Sequence, residues 1–150
     1  MKVLVDTNVL LRSVQKNHPA SRIAIQALIT LYRGDNQLCL ATQNIAEFWN
    51  VCTRPVGVNG LGLGIEAADR YTRQLEKFFV ILPDSLQVFQ NWRKLIVDHG
   101  VIGVKVHDAR LVAVMKTYDI PEIVTFNVSD FARFDGIKAK SPESMLSARI

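Results

Sequence analysis

Residues 1–13 read MKVLVDTNVLLRS, and the order of apolar and polar side chains in them decides the architecture. Val3, Leu4 and Val5 form an apolar run without polar alternation, as expected of a short strand buried on both faces. Asp6, Thr7 and Asn8 then interrupt before Val9, Leu10 and Leu11 resume the apolar pattern. A carboxylate at the end of a buried strand has two uses. It can cap a helix or make an Asx turn, or it can serve a ligand, because open α/β sheets bind ligands beyond the carboxyl ends of their strands.

Further strands of the same kind are expected at Leu38 to Ala41, Phe79 to Leu82, Ile123 to Phe126 and, more weakly, Ile137 to Ala139. Helix-length patterns separate them: Ala20 to Tyr32, Ile45 to Thr53, Ile65 to Phe78, Leu86 to His99 and Ala109 to Tyr118. Ile65, Ala68, Leu75 and Phe78 recur at helical steps and make a one-sided stripe. Strands alternating with helices predict an α/β fold, with a mainly parallel sheet covered by helices on both sides.

The chain has 150 residues, 49% of them hydrophobic. That is enough for one domain, residues 1–150, burying roughly 70% of its unfolded surface. No apolar segment reaches the roughly 18 residues of a membrane helix, and the N-terminus lacks the order of a signal peptide, so a cytoplasmic protein is expected. Cys39 and Cys52 stand in no CxxC or histidine spacing and are expected as buried thiols. The formal charge of +4 and pI near 9.3 permit a polyanionic partner.

A glycine-rich connection, PVGVNGLGLG, spans Pro55 to Gly64 and contains the dinucleotide-like spacing GxGxxA. No buried strand precedes it, so a mobile lid or partner-contact loop is expected in place of a cofactor turn.

Four acidic residues fall where strands give way to helices or turns: Asp6, Glu47, Asp108 and Asp130. Each has a structural explanation taken alone. Asn44 and Glu47 fit the two halves of a capping box, Asp108 fits a helix cap, and Asp130 fits a polar turn after Thr125 and Asn127. Their recurrence at one kind of junction does not follow from those explanations. In a parallel sheet the four converge on one edge, where two carboxylates about 5 Å apart repel by roughly 3 kcal/mol at an effective dielectric near 20. A hard divalent cation such as Mg²⁺ or Mn²⁺ relieves that repulsion with oxygen ligands alone.

VLVDTNVLL, NIAEFW, HDARL and IVTFNVSDF stand in the order and spacing of the PIN-domain nucleases, and the whole chain resembles the VapC-type toxins of toxin-antitoxin pairs. The resemblance implies a three-layer α/β/α domain and a Mg²⁺ or Mn²⁺ site that cleaves RNA. It also implies a homodimer and a cognate antitoxin covering the acidic groove. Carried over by position, Asp6, Glu47, Asp108 and Asp130 are the catalytic acids, and Asp6, Asp108 and Asp130 hold the metal. Asn8, Thr125 and Asn127 support them. Asn127 is an amide at one of the two positions where the family places its fourth acid; Asp130 takes the other.

Arg54, Arg110 and Arg133 are the candidate RNA contacts, with Arg93, Lys94 and Lys105 as further basic candidates. His107 is expected to be structural, and Phe48, Trp49 and Trp92 to belong to the core or a dimer surface. Two other functions fit less of the chain. A non-catalytic PIN-like scaffold binding RNA or protein would use the same fold. A phosphoryl-transfer receiver domain would need paired acids after the first strand, where only Asp6 stands.

Overall fold

The computed structural model describes residues 1–147. Five strands make one sheet: β1 (Lys2–Val5), β2 (Gln37–Ala41), β3 (Val80–Leu82), β4 (Glu122–Val124) and β5 (Lys138–Lys140). Their order is β3-β2-β1-β4-β5, and every pairing is parallel. The helices are α1 (Thr7–Val14), α2 (Ser21–Arg33), α3 (Thr42–Thr53), α4 (Ile65–Phe78), α5 (Leu86–Asp98), α6 (Val106–Thr117) and α7 (Pro142–Ser147).

Side-chain alternation along the strands divides the core into two layers. Leu4, Cys39 and Ile123 face α5 and α6, meeting Val88, Leu95, Val112 and Met115. Val3, Val5, Leu38, Leu40 and Val124 face the other way, toward Val9, Leu10, Ala24, Phe48 and Ala68 from α1 to α4. This is the three-layer α/β/α arrangement expected from strands that are apolar on both faces.

The sheet grows from β1 to β2 to β3 on one side, and the chain then returns to add β4 and β5 on the other. The connections after β1 and β4 therefore leave in opposite directions and open a crevice at the carboxyl ends of those strands. Register holds the crevice closed at its base: Val5 pairs with Val124, and the Asp6 N–H donates to the Val124 carbonyl at 2.9 Å.

Two helices have no counterpart among the expected elements. α1 begins directly after Asp6, and α7 follows β5. α6 starts at Val106, three residues before its expected start, so Asp108 lies inside the first turn and does not cap it. β5 is Lys-Ala-Lys, an edge strand whose lysines limit pairing with another sheet.

The glycine-rich connection is pinned to α3. The N–H groups of Leu61, Gly62 and Leu63 donate to the carbonyls of Val51, Arg54 and Cys52 at 2.8–2.9 Å, and Leu61 and Leu63 pack on the core. This corrects the expectation of a mobile lid: three successive backbone N–H groups bonded to the end of α3 leave the loop few alternatives. Gly60 is required by close approach, since a Cβ there would lie 1.8 Å from the Arg54 carbonyl oxygen. Cys39 and Cys52 are buried free thiols, and burial pushes the Cys52 thiol up to about 11.

Candidate active site

Asp6 directly follows β1 and is the N-cap of α1, so the capping and ligand-site explanations describe one residue. Its Oδ1 accepts from the Thr7 N–H at 2.8 Å, and its Oδ2 accepts from the Thr125 hydroxyl at 2.7 Å. Asp6 is 9% exposed and Thr125 is fully buried. Burial, the largest influence, pushes the Asp6 carboxyl up to about 6; the Thr125 and Thr7 hydrogen bonds oppose it, and Glu47 and Asp108 add to it. The carboxylate is thus held in place at a cost in charge, which a nearby cation would remove.

Thr125 is oriented from both sides. Its oxygen accepts from the Asn127 N–H at 3.0 Å and the Asn8 amide at 3.3 Å, so its own proton is left for Asp6. The Asn8 side-chain oxygen accepts in turn from the Phe126 N–H at 3.2 Å. Asn8 and Thr125 therefore stitch α1 to the exit of β4. Asn127 contributes its backbone, and its residue is exposed.

Glu47 enters from the second turn of α3. Its Oε2 accepts from the Thr7 hydroxyl at 2.8 Å, and its Oε1 accepts from the Gln43 amide at 2.8 Å. The expected capping box is shifted by one turn. Ala41 is the N-cap, and the buried Asn44 sits at the third helical position, where its Oδ1 accepts from the Ala41 N–H at 2.8 Å. The Asn44 amide donates to Thr7 Oγ1 at 3.1 Å, extending the chain of bonds from the start of α3 through Thr7 to Glu47.

Asp108 lies in the first turn of α6, where the helix dipole favours negative charge. Burial raises its carboxyl pKa, with Asp130 the next influence, Lys105 opposing and Glu47 adding. Asp130, on the one-turn 3-10 helix Val128–Phe131, accepts from the Lys105 ammonium at 2.7 Å. That hydrogen bond is the main cause of an upward shift in the Lys105 pKa. The acids thus influence one another electrostatically, and Asp130, not the exposed Asn127, is the acidic neighbour of Asp108 on this side.

Among the described residues no three His, Cys, Asp or Glu side chains are gathered tightly enough to cage a metal ion. The donor set nevertheless suits a hard divalent ion: it is all oxygen, partly desolvated and mutually repulsive. Mg²⁺ characteristically keeps several waters and takes one or two carboxylates together with substrate phosphate.

The basic candidates divide. Arg54 caps the far end of α3, about 10 Å along the helix from Glu47, and donates to the Asn59 carbonyl at 2.8 Å, with its Nε buried and unpartnered. Its contacts serve the glycine-rich connection. Arg110 pairs with Asp84 at 3.0 Å, and Asp84 also accepts from Thr42 at 2.6 Å. Arg133 is exposed and close enough to Lys105 to influence its charge.

Phe48 is fully buried and edge-on to Tyr71, and Trp49 packs on the same layer. Trp92 packs on the other layer and donates to the Val106 carbonyl at 2.8 Å, tying α5 to the start of α6. Thr7, Gln43 and the positional role of Asn44 escaped the sequence reading. The available signals were adjacency to Asp6 for Thr7 and a one-turn offset from Glu47 for Gln43.

The PIN domain family model matches residues 3–137. The chain belongs to the PIN domain family. The fold of this PIN domain also recurs in solved structures. VapBC-1 from nontypeable Haemophilus influenzae gives a TM-score of 0.70 at 17% identity, covering 95% of this chain and 99% of that one. VapBC2 from Rickettsia felis, bound to a DNA fragment from its promoter, gives 0.69 at 16%, covering 94% and 98%. VapC20 from Mycobacterium tuberculosis, a sarcin-ricin loop cleaving toxin, gives 0.65 at 16%, covering 87% and 93%. At these identities the likeness is one of fold. A search of curated proteins finds no match. Among the described residues of this PIN domain, no helix is long and apolar enough to cross a membrane.

Proposed function

We propose that residues 1–150 act as one metal-dependent endoribonuclease domain, the toxin of a cytoplasmic toxin-antitoxin pair. The observation that carries the reading is the desolvated Asp6 carboxylate at the crevice between β1 and β4, electrostatically coupled to Glu47 and Asp108. Asp6, Asp108 and Asp130 would hold Mg²⁺ or Mn²⁺. When bound, such an ion acidifies water and neutralises charge developing on a phosphodiester.

The chain's own residues supply orientation. Thr125 and the Thr7 N–H fix the two oxygens of Asp6, while Thr7 and Gln43 each give Glu47 one donor. Each Glu47 oxygen keeps acceptor capacity for an attacking water and its departing proton. The water oxygen adds to phosphorus as a ribose oxygen leaves. An unpaired RNA segment suits the crevice because its backbone can bend into it. Arg133 and Lys105, beside Asp130, and Arg110 on the Asp108 helix are the basic groups placed to steer RNA. Arg54, which also donates to the Asn59 carbonyl, is the candidate RNA contact farther along α3.

The antitoxin reading is supported by the complexes in which similarly folded chains occur. Exposed Leu86 and Phe89 on α5, followed by Ile102 and Val104, support a homodimer surface.

The test is incubation of a mixed pool of structured and unstructured RNAs with the purified chain, free of antitoxin, in Mn²⁺, Mg²⁺ or chelator. Cuts that need the metal and vanish in Asp6→Asn support the reading. Cuts that persist in the variant place the activity outside the acidic centre, and no cuts by folded wild type on any pool favour a non-catalytic scaffold.

A further inference from the structure

Gln43 is nearly fully buried, yet it makes an arrangement that stability alone does not favour. Its Nε2 donates to Glu47 Oε1 at 2.8 Å and to the His107 carbonyl at 3.0 Å, while its Oε1 is buried without any partner. The amide cannot profitably turn over. Both partners are acceptors, and a reversed amide would set oxygen against a carboxylate and a carbonyl. An apolar side chain of the same shape would leave no orphaned oxygen.

What the orphan accompanies is a bridge. Glu47 stands on α3, and His107 immediately precedes Asp108 on α6. Among the described residues no other side chain bonds both the acid of α3 and the first turn of α6. Thr7 reaches only the other oxygen of Glu47, and Trp92 reaches α6 from α5. Two like charges on separate helices move apart when nothing holds them.

We propose that Gln43 is a positioning residue, holding the Asp108-bearing turn, which supplies a ligand to the divalent cation, at one fixed separation from Glu47, which takes the attacking water. The inference rests on the reading of the acidic centre as a cation site. Neighbours of this kind, which orient metal ligands without touching the metal, typically govern affinity or activity by 10- to 100-fold.

The test uses the full chain as wild type, Gln43→Leu and the unbranched, uncharged Gln43→Met. Free Mn²⁺ is titrated and followed by electron paramagnetic resonance, with thermal melting and metal-titrated RNA cleavage in parallel. Folded Gln43→Leu is expected to bind Mn²⁺ about 10-fold more weakly and to lose about 10- to 100-fold in kcat, with RNA affinity in chelator unchanged. Gln43→Met, which lacks the donors, stays unbranched and adds no charge, carries the test should the leucine variant not fold, and it too is expected to bind Mn²⁺ more weakly. Wild-type Mn²⁺ affinity in the folded variants overturns the role of Gln43 and leaves the cation site standing. A wild type that binds no Mn²⁺ overturns both.

Discussion

The Thr125 hydroxyl donates to Asp6 Oδ2 at 2.7 Å, joining the end of β4 to the end of β1 at the point where the sheet reverses its order. The bond is buried, and two donors on Thr125 leave its proton no other direction. Replacing Thr125 by Val keeps the volume and removes the donor. The expected loss is about 1–3 kcal/mol of stability, with weaker Mn²⁺ binding because one Asp6 oxygen is released. Thr125→Ser, which retains the hydroxyl, should restore binding. Chemical denaturation and Mn²⁺ titration check both, and equal binding by the valine and serine variants would contradict the assignment.

Asp6 makes metal-free stability depend on pH in a definite direction. Its carboxyl is raised from 3.8 to about 6 in the folded chain, so between those values the folded state keeps a proton that the unfolded chain has released. Stability therefore falls as pH rises through that window, by about 3 kcal/mol from this group at pH 7. Asp6→Asn removes the charge and is expected to be more stable than wild type in chelator at pH 7.5, by about 1–3 kcal/mol, and to show no advantage at pH 4. Denaturation curves at the two pH values decide it.

Lys105 occupies Asp130 as an internal cation and so competes with a metal for that carboxylate. Lys105→Met should tighten Mn²⁺ binding several-fold, while Asp130→Asn should weaken it. In the Asp130→Asn background the Lys105 effect should shrink, since the shared partner is gone. A Lys105 effect of undiminished size in both backgrounds would place its action elsewhere.

Gly60 makes a prediction that separates scaffold from site. Alanine there meets the Arg54 carbonyl and must displace the connection or the end of α3. A loss of about 1–3 kcal/mol is expected, with Mn²⁺ affinity unchanged, because the damage lies at the end of α3 remote from Glu47. Melting and metal titration together provide the check.

The order of strands and helices was legible because β1, β2 and β4 are apolar on both faces and the helices between them carry stripes of their own. α1 was not, since Thr7–Val14 is an eight-residue helix continuing an apolar run without a long periodic pattern. Asp6 and Asp130 were legible from their places after β1 and β4, but the expected strand exit does not exist for Asp108, where α5 leads through a 3-10 turn into α6, and Glu47 lies in the second turn of α3. Their supports were not: Gln43 and Thr7 act through partners 64 and 40 residues away in sequence, and only folding brings those pairs together. The glycine-rich connection misled for a related reason. Glycines commonly mark freedom, but Gly60 marks contact with Arg54.

The central claim is that this acidic crevice hydrolyses phosphodiesters with a divalent cation. Its most direct test is the single-turnover rate of cutting one mapped RNA in saturating Mn²⁺ by wild type and Asp6→Asn, from pH 5 to 8. The account predicts a wild-type rate that rises with pH as the attacking water gives up its proton more readily, and a variant slower by at least about 100-fold throughout, in the range typical for loss of one charge-stabilising group. A variant that cuts at the wild-type rate would contradict it.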